Sequence, residues 1–429
     1  MDATTSNSSS PSPPNRTPRP PRRIVTYAIL TGAVLTLLAV LGVQRQSRAV
    51  PSRAPAPIAI APAPRAPEPL ESQQSNVQAT VAVARPRVEL VFALDTTGSM
   101  SGLIEGAKRK IWSLASFVAQ GQPTPDLRVG LIAYRDIGDA YVTRVFDLDP
   151  DLDRVYRRLR SFHAEGGGDG PEHVARALDE SVHKMSWSDD QAVVKVIYLV
   201  GDAPPHTDYS DGYDATRAAR AAARKGIQLH TILCGTDGVA ERAWRQIASL
   251  GGGQYMAIHQ DGGMQEEHSA YDEELGRLHD KLAGTAIGYG SAAPAVAAAT
   301  AVAAAAPVSE KAARAGYLAS HGKAVGGKGD LVEGVASGAV KLDDVQGELP
   351  ADMKAMSKDK QAAMIAEKQK ERSEINKRIV ELSKLRKKEL DAHEAAAAKA
   401  GRADSFDVAA KKALKRSVSD NPLDGLTLD

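Results

Sequence analysis

Val193-Val194-Lys195-Val196-Ile197-Tyr198-Leu199-Val200 is a nearly continuous apolar run, followed at once by Gly201-Asp202-Ala203-Pro204-Pro205. Apolar runs of this length bounded by turn residues read as strands buried on both faces, and such strands sit in the middle of parallel sheets. On either side, short apolar runs alternate with helical patterns. Val88–Leu94, Arg128–Tyr134 and Tyr141–Phe146 precede the central run; Ile227–Leu233 and Gln254–Ile258 follow it. Between them, Leu103, Ile104, Ala107, Ile111, Leu114, Ala115 and Val118 recur at helical spacing, and Asp151–Phe162, Pro171–Trp187, Ala215–Arg224, Val239–Leu250 and Ser269–Leu282 read as further helices. Pro171 suits the first position of its helix. This alternation predicts an α/β fold over residues 87–285: a doubly wound, mostly parallel six-stranded sheet flanked by helices. In such folds ligands bind at the carboxyl ends of the strands.

Three loops at those ends carry oxygen-bearing side chains: Asp95-Thr96-Thr97-Gly98-Ser99-Met100, Gly166-Gly167-Gly168-Asp169-Gly170, and Gly201-Asp202. Carboxylates and hydroxyls are hard ligands that suit Mg²⁺ or Mn²⁺ in octahedral geometry. No Cys or closely spaced His pair accompanies them, which argues against zinc. Each residue also has a structural explanation. Ser99 or Ser101 would cap the following helix; Asp169 would oppose the positive end of the helix at Pro171; Asp202 would serve the turn before Pro204 and Pro205. Convergence of all three loops on one sheet edge favours the metal reading over three separate coincidences.

Asp95, Thr97 and Ser99 match the Asp-x-Ser/Thr-x-Ser signature of the von Willebrand factor A family, and the aspartate of Val200-Gly201-Asp202 matches that of the family's third loop. This stretch resembles such A domains over about 200 residues. The resemblance implies a metal-ion-dependent adhesion site. Thr97 and Ser99 would bind one divalent cation, Mg²⁺ foremost with Mn²⁺ or Ca²⁺ as alternatives, directly. Asp95 and Asp202 would act mostly through water, and an acidic side chain of a protein partner would complete the shell. Where the family usually has a threonine in the second loop, this chain has Asp169 within Gly166-Gly167-Gly168-Asp169-Gly170-Pro171-Glu172, a form shared by a GGGDxPE subgroup. A third carboxylate predicts tighter metal binding, or a stronger preference for Ca²⁺ or Mn²⁺, and less attraction for an acidic ligand. His206 is read as a rim residue or a solvated polar one. Asp136 is read as a brace for the site or a partner of Arg135 or Arg144, and Cys234 as a small core residue.

The rest of the chain sets the context. Its 429 residues hold 54 Lys and Arg against 53 Asp and Glu, a balance that gives no reason to expect nucleic acid. A single cysteine excludes an intrachain disulfide. Residues 1–23 read as a disordered cytoplasmic tail. Ile24–Val43 is uncharged and long enough to cross ~30 Å of hydrocarbon as a signal anchor, with cleavage near Ser47-Arg48-Ala49 as the competing reading. Arg16, Arg19, Arg22 and Arg23 before the span, against Arg45, Arg48 and Arg53 after it, favour a C-terminal part outside the cytoplasm, in the periplasm if the source is bacterial. Residues 44–86 form a Pro/Ala-rich linker and 286–307 an Ala-rich one; 308–429 is a C-terminal helical region. Within it, Pro350 to about Lys399 reads as one long helix, with Ile375, Ile379 and Leu382 at a 4-3 spacing that permits self-association and Glu374 paired with Arg378. Asp404–Leu414 reads as a second helix packed against the first. An LPxxM segment (Leu349-Pro350-Ala351-Asp352-Met353) ahead of a Lys/Glu-rich helix resembles a layout found in bacterial proteins, which supplies no function of its own.

The expectation is a membrane-anchored binding protein, without a chemical step, whose A domain engages a protein partner through a divalent cation. One alternative is a structural or assembly factor acting through the C-terminal helix. The other is a metal-dependent hydrolase, for which His206 is the one visible candidate base.

Overall fold

The computed structural model describes residues 85–168, 170–260, 268–399, 406–421 and 425–428. All of them fall within one unit, Ala79–Asp429. The expected tail (1–23), the membrane span (24–43) and all but the last two residues of the proline-rich linker (44–86) lie outside the described residues, as does Asp169. Among the described residues no helix is long and apolar enough to cross a membrane.

The first half runs β1 (Arg87–Asp95), α1 (Ser101–Ala119), β2 (Asp126–Tyr134), β3 (Thr143–Asp149), α2 (Leu152–Arg160) and α3 (Val174–His183). It continues through β4 (Val194–Gly201), α4 (Ala215–Arg224), β5 (Ile227–Cys234), α5 (Gly238–Leu250), β6 (Gly252–Ile258) and α6 (Asp272–Ala283). The six strands form one sheet in the order β3-β2-β1-β4-β5-β6. All neighbours are parallel except β2 and β3, which run antiparallel. The expected fold class is therefore present, with β3 as an antiparallel edge. The winding reverses between β1 and β4, so the crevice of the sheet opens at the carboxyl ends of those two strands.

Alternation along the strands divides the core into two layers. Leu90, Phe92 and Leu94 of β1 face the same side as Val196, Tyr198 and Val200 of β4, and pack with α1, α2 and α6. Val91 and Ala93 face the other side with Ile197 and Leu199, against α3, α4 and α5. β4 is buried along its whole length, as its unbroken apolar run requires. Cys234 is buried in the first layer.

Beyond α6 the structure departs from the expected linker and separate helical region. Six more α-helices follow among the described residues: α7 (Ala293–Ala304), α8 (Val308–Ser320), α9 (Leu331–Ala336), α10 (Ala351–Lys354), α11 (Lys358–Lys399) and α12 (Phe406–Asp420). The alanine-rich stretch read as a linker is mostly α7, with Val296, Ala299 and Ala303 buried. Alanine is the best helix former, and small side chains let this helix pack without a large apolar stripe. The long C-terminal helix is interrupted near Ser357 and then runs unbroken as α11. Its Ile375, Ile379 and Leu382 are buried in the first layer of the protein's own core, so the 4-3 seam is covered within the chain. Arg378 pairs with Glu274 and Glu381 rather than with Glu374.

α12 lies against α1 and across β4, β5 and β6 rather than on α11 alone. Its Ala409, Ala410, Ala413, Leu414 and Val418 join the first core layer. The Tyr198 hydroxyl donates to the carbonyl of Ala410 at 2.9 Å. His230 accepts the Gln254 N–H at Nδ1, so its Nε2 carries the proton and donates to Ser417 Oγ at 2.8 Å. Burial holds the His230 imidazole neutral, with its pKa lowered to about 4. A second tie is made by Arg314 of α8, whose buried guanidinium grips both oxygens of Asp153 on α2 and reaches His279 on α6.

Candidate metal centre

Asp95 ends β1, and the register Leu94↔Val200 places it beside Gly201, the last residue of β4, with Asp202 next. Gly201 is required there. A Cβ at that position would collide with the Tyr134 hydroxyl and stand 3.0 Å from Asp95 Cβ. Asp95 is fully buried. Its Oδ1 accepts the Thr97 N–H at 2.9 Å and the Thr97 hydroxyl at 2.7 Å, and Thr97 Oγ1 lies 3.3 Å from Ser99 Oγ. The turn thus gathers one carboxylate and two hydroxyls. The N-cap positions here fall on Thr97 and Met100, neither of which makes a side-chain capping hydrogen bond. Asp202 is partly exposed and accepts from Gln260 Nε2 at 2.5 Å.

The remaining loops are locked to this turn through the backbone. Gly98 N–H donates to Gly166 O, Glu165 N–H to Thr96 O, and Glu172 N–H to Pro204 O. Gly166 and Gly167 have φ of 79° and 83°, the left-handed region that only glycine enters freely. A Cβ on Gly166 would collide with the carboxylate of Asp139, which instead receives the Gly167 N–H. Arg135 is buried and clamps the same loops, donating from Nε to Thr96 O at 3.0 Å and from Nη2 to His163 O at 2.8 Å.

The helix expected at Pro171 begins later, at Val174, and is capped by His173. That leaves Pro171 and Glu172 in the loop. Glu172 was not among the residues the sequence singled out. It is 3 % exposed, and its carboxylate approaches the Thr97–Gly167 contact. Its neighbour Asp136, also buried, turns away from Arg135 and Arg144. Asp136 accepts the Tyr209 hydroxyl at 2.5 Å and lies 3.5 Å from His206 Nε2. His206 stacks on Tyr209 with ring centroids 4.2 Å apart, which places it on the rim beside the site.

Electrostatics distinguish this edge from the rest of the surface. Burial raises the Asp95 pKa to about 7, against the hydrogen bonds from Thr97, and Asp202 raises it further. Burial raises Glu172 to about 9, reinforced by Asp95, Asp136, Asp139 and Asp202. Three carboxylate oxygens, Asp95 Oδ2, Glu172 Oε2 and Asp136 Oδ1, are buried without a hydrogen-bond partner among the described residues. Buried carboxylate oxygens are seldom left unmatched, and the groups that match them best are cations. Among the described residues no cluster of three or more His, Cys, Asp or Glu side chains converges as a metal-ligating group. The donor set here is different in kind, because two of its members, Thr97 and Ser99, are hydroxyls. These hard oxygen donors fit Mg²⁺, Mn²⁺ or Ca²⁺ and do not suit zinc.

An open α/β sheet with an acidic, hydroxyl-bearing loop cluster at its switch point defines the class. Residues 89–261 match the family model for the von Willebrand factor A domain, so this part of the chain is an A-type domain. The chain is 28 % identical over 169 residues to "Alpha-protein kinase vwkA" of Dictyostelium discoideum, a match spanning 38 % of this chain and 26 % of that protein. It is 32 % identical over 123 residues to "von Willebrand factor A domain-containing protein 7" of Rattus norvegicus, spanning 28 % of this chain and 12 % of that one. The chain thus matches only about a quarter of the length of the first relative and about an eighth of the second. Among solved structures, proximal thread matrix protein 1 from the mussel byssus aligns at 12 % identity and the SpRpn10 VWA domain at 11 %. Both have a TM-score of 0.32 and cover 41 % of this chain, with 43 % and 89 % of those chains covered in turn.

Proposed function

We propose that this chain is a binding protein whose A-type domain holds one divalent cation through Asp95, Thr97, Ser99, Asp202 and Asp169, and uses it to engage a protein partner. The observation that carries the reading is the buried, partnerless Oδ2 of Asp95 beside the hydroxyls of Thr97 and Ser99. When bound, the cation supplies a positive centre that attracts an outside acidic side chain. The chain's own residues do the rest. Thr97 and Ser99 offer neutral oxygens, Asp95 and Asp202 orient the shell, and Glu172 backs the site with a further buried carboxyl. Arg135 and the interlocked glycine loop hold these groups in place. Mg²⁺ is the proposed ion, with Mn²⁺ and Ca²⁺ as alternatives. Binding without a chemical step is part of this proposal. Anchoring by residues 24–43, with this domain outside the cytoplasm, is part of the same proposal and rests on the sequence of that span.

Thermal unfolding with and without Mg²⁺, Mn²⁺ or Ca²⁺ tests the reading. A cation that binds only the folded state raises the melting temperature, by several degrees at ~100-fold excess over its Kd. The rise should vanish in Asp95→Ala and Asp202→Ala. An unchanged melting temperature for all three ions in the wild type counts against it.

A further inference from the structure

A cavity of about 550 Å³ lies away from the metal edge, between the C-terminal half of α1 and the helices α8, α11 and α12. This volume is within the range of small-molecule sites. Only the α1 wall falls inside the A-type segment 89–261; the other walls belong to the C-terminal helices. Phe117, Ala312, Leu390, Ala395 and Val408 give the lining an apolar, chiefly aliphatic floor. Arg386, Lys387, Lys411, Lys412 and Lys415 surround it, against the two carboxylates Asp391 and Glu394.

These cations are not all engaged in the same way. Arg386 is held by Asp272 at 2.6 Å and Lys387 by Asp391 at 2.8 Å. Lys415 lies over the ring of Phe117, and neither it nor the exposed Lys412 has a carboxylate partner among the described residues. Polar groups also line the cavity. The Ser116 and Ser383 hydroxyls both lie against Gly316, where a Cβ would come within 3.0 Å of the first and 3.1 Å of the second. Ser383 Oγ is buried without a hydrogen-bond partner among the described residues. Gln120 adds an amide. An apolar floor with an excess of cations at its edge and an unmatched hydroxyl within is complementary to an amphipathic anion. Its one aromatic face, Phe117, is already covered by Lys415, so the lining suits an aliphatic chain better than a stacked ring.

We propose that this cavity binds a long-chain aliphatic anion. The chain would lie along Phe117, Ala312, Leu390 and Val408, and a carboxylate or phosphate head would sit against Lys412 and Lys415. α1 begins at the metal-site turn, so the occupant would touch the far end of the helix that follows Ser99. The site does not depend on the cation for its walls or its charge.

The test is photolabelling of the full chain with a diazirine-bearing palmitate analogue, with the labelled residues mapped by mass spectrometry. Saturable label on the cavity walls of α1, α11 and α12 is expected. Excess palmitate or dodecyl phosphate should compete it away, while hexadecanol and inorganic phosphate should not. Lys412→Glu with Lys415→Glu should cut the labelling roughly tenfold. Lys384→Glu with Lys388→Glu, which makes the same charge change on α11 outside the cavity, should leave it intact. Label scattered over the surface overturns the proposal, as does equal loss in both charge-reversal pairs. Competition by inorganic phosphate alone would reduce the site to an anion patch and overturn it too.

Discussion

Asp95 sets the chemistry at the scale of single residues. Its carboxyl is fully buried, and burial moves its pKa from the ordinary 3.8 to about 7. Between those values the folded chain holds a proton that the unfolded chain has released. Its contribution to stability is therefore fully present below pH ~4 and is lost as pH rises to ~7, at up to ~1.4 kcal/mol per pH unit. Glu172, raised to about 9, extends the same trend upward. In urea unfolding with a chelator present, Asp95→Asn should flatten the decline between pH 5 and pH 7 relative to wild type. Parallel pH profiles for the two proteins would show that Asp95 is not protonated in the fold. A bound cation should also flatten the profile, because it favours the charged carboxylate. Asp169→Thr addresses the departure from the usual family pattern: removing a carboxylate should weaken divalent-ion binding, and tighter binding on titration would refute the role assigned to Asp169. Asp95, Thr97, Ser99 and Asp202 were legible in the sequence because short oxygen-bearing side chains directly follow apolar runs. Glu172 was hidden, since an acid after a proline reads as an ordinary first-turn helix residue. Its burial becomes visible only once α3 is seen to start at Val174. Arg135 was hidden for a similar reason, because its partners are backbone carbonyls that leave no trace in composition.

Among the elements, strands were easy to read and the C-terminal helices were not. β1 and β4 are nearly continuous apolar runs, which a two-sided burial demands. α7 and α12 use small residues where a typical surface helix shows a large apolar stripe, so α7 read as a linker and α12 as a short helix packed on the long one. α8 ties the A-type segment to the following helices through the buried pair of Arg314 with Asp153. Removing one member leaves the other charged and buried. Arg314→Met or Asp153→Asn alone should cost about 3–5 kcal/mol in denaturant unfolding. The double variant should cost clearly less than the sum of the two. Strict additivity would mean the two side chains do not act as a pair.

Considered as a whole molecule, the described part of the chain is not a domain with an independent tail. α12 covers β4, β5 and β6, while α11 and α8 back α6, so the first core layer is completed by residues more than a hundred positions beyond the last strand. Residues 79–429 should therefore unfold in one calorimetric transition. Ending the chain at residue 400 would remove the cover over Tyr198 and His230, so it should lower the melting temperature and increase binding of a hydrophobic dye such as ANS. An unchanged transition in the shortened chain would mean α12 contributes nothing to the core. This arrangement also decides which piece of the protein is suitable for metal studies, since a fragment ending at α6 would lack one wall of its own core.

The measurement that bears most directly on the divalent-cation site is calorimetric titration of Mg²⁺, Mn²⁺ and Ca²⁺ into residues 79–429, wild type beside Asp95→Ala and Asp202→Ala. Saturable one-site binding by the wild type, lost in both variants while their circular dichroism is unchanged, is the predicted result. A folded wild-type protein that binds none of the three ions, or variants that bind as well as wild type, would contradict it.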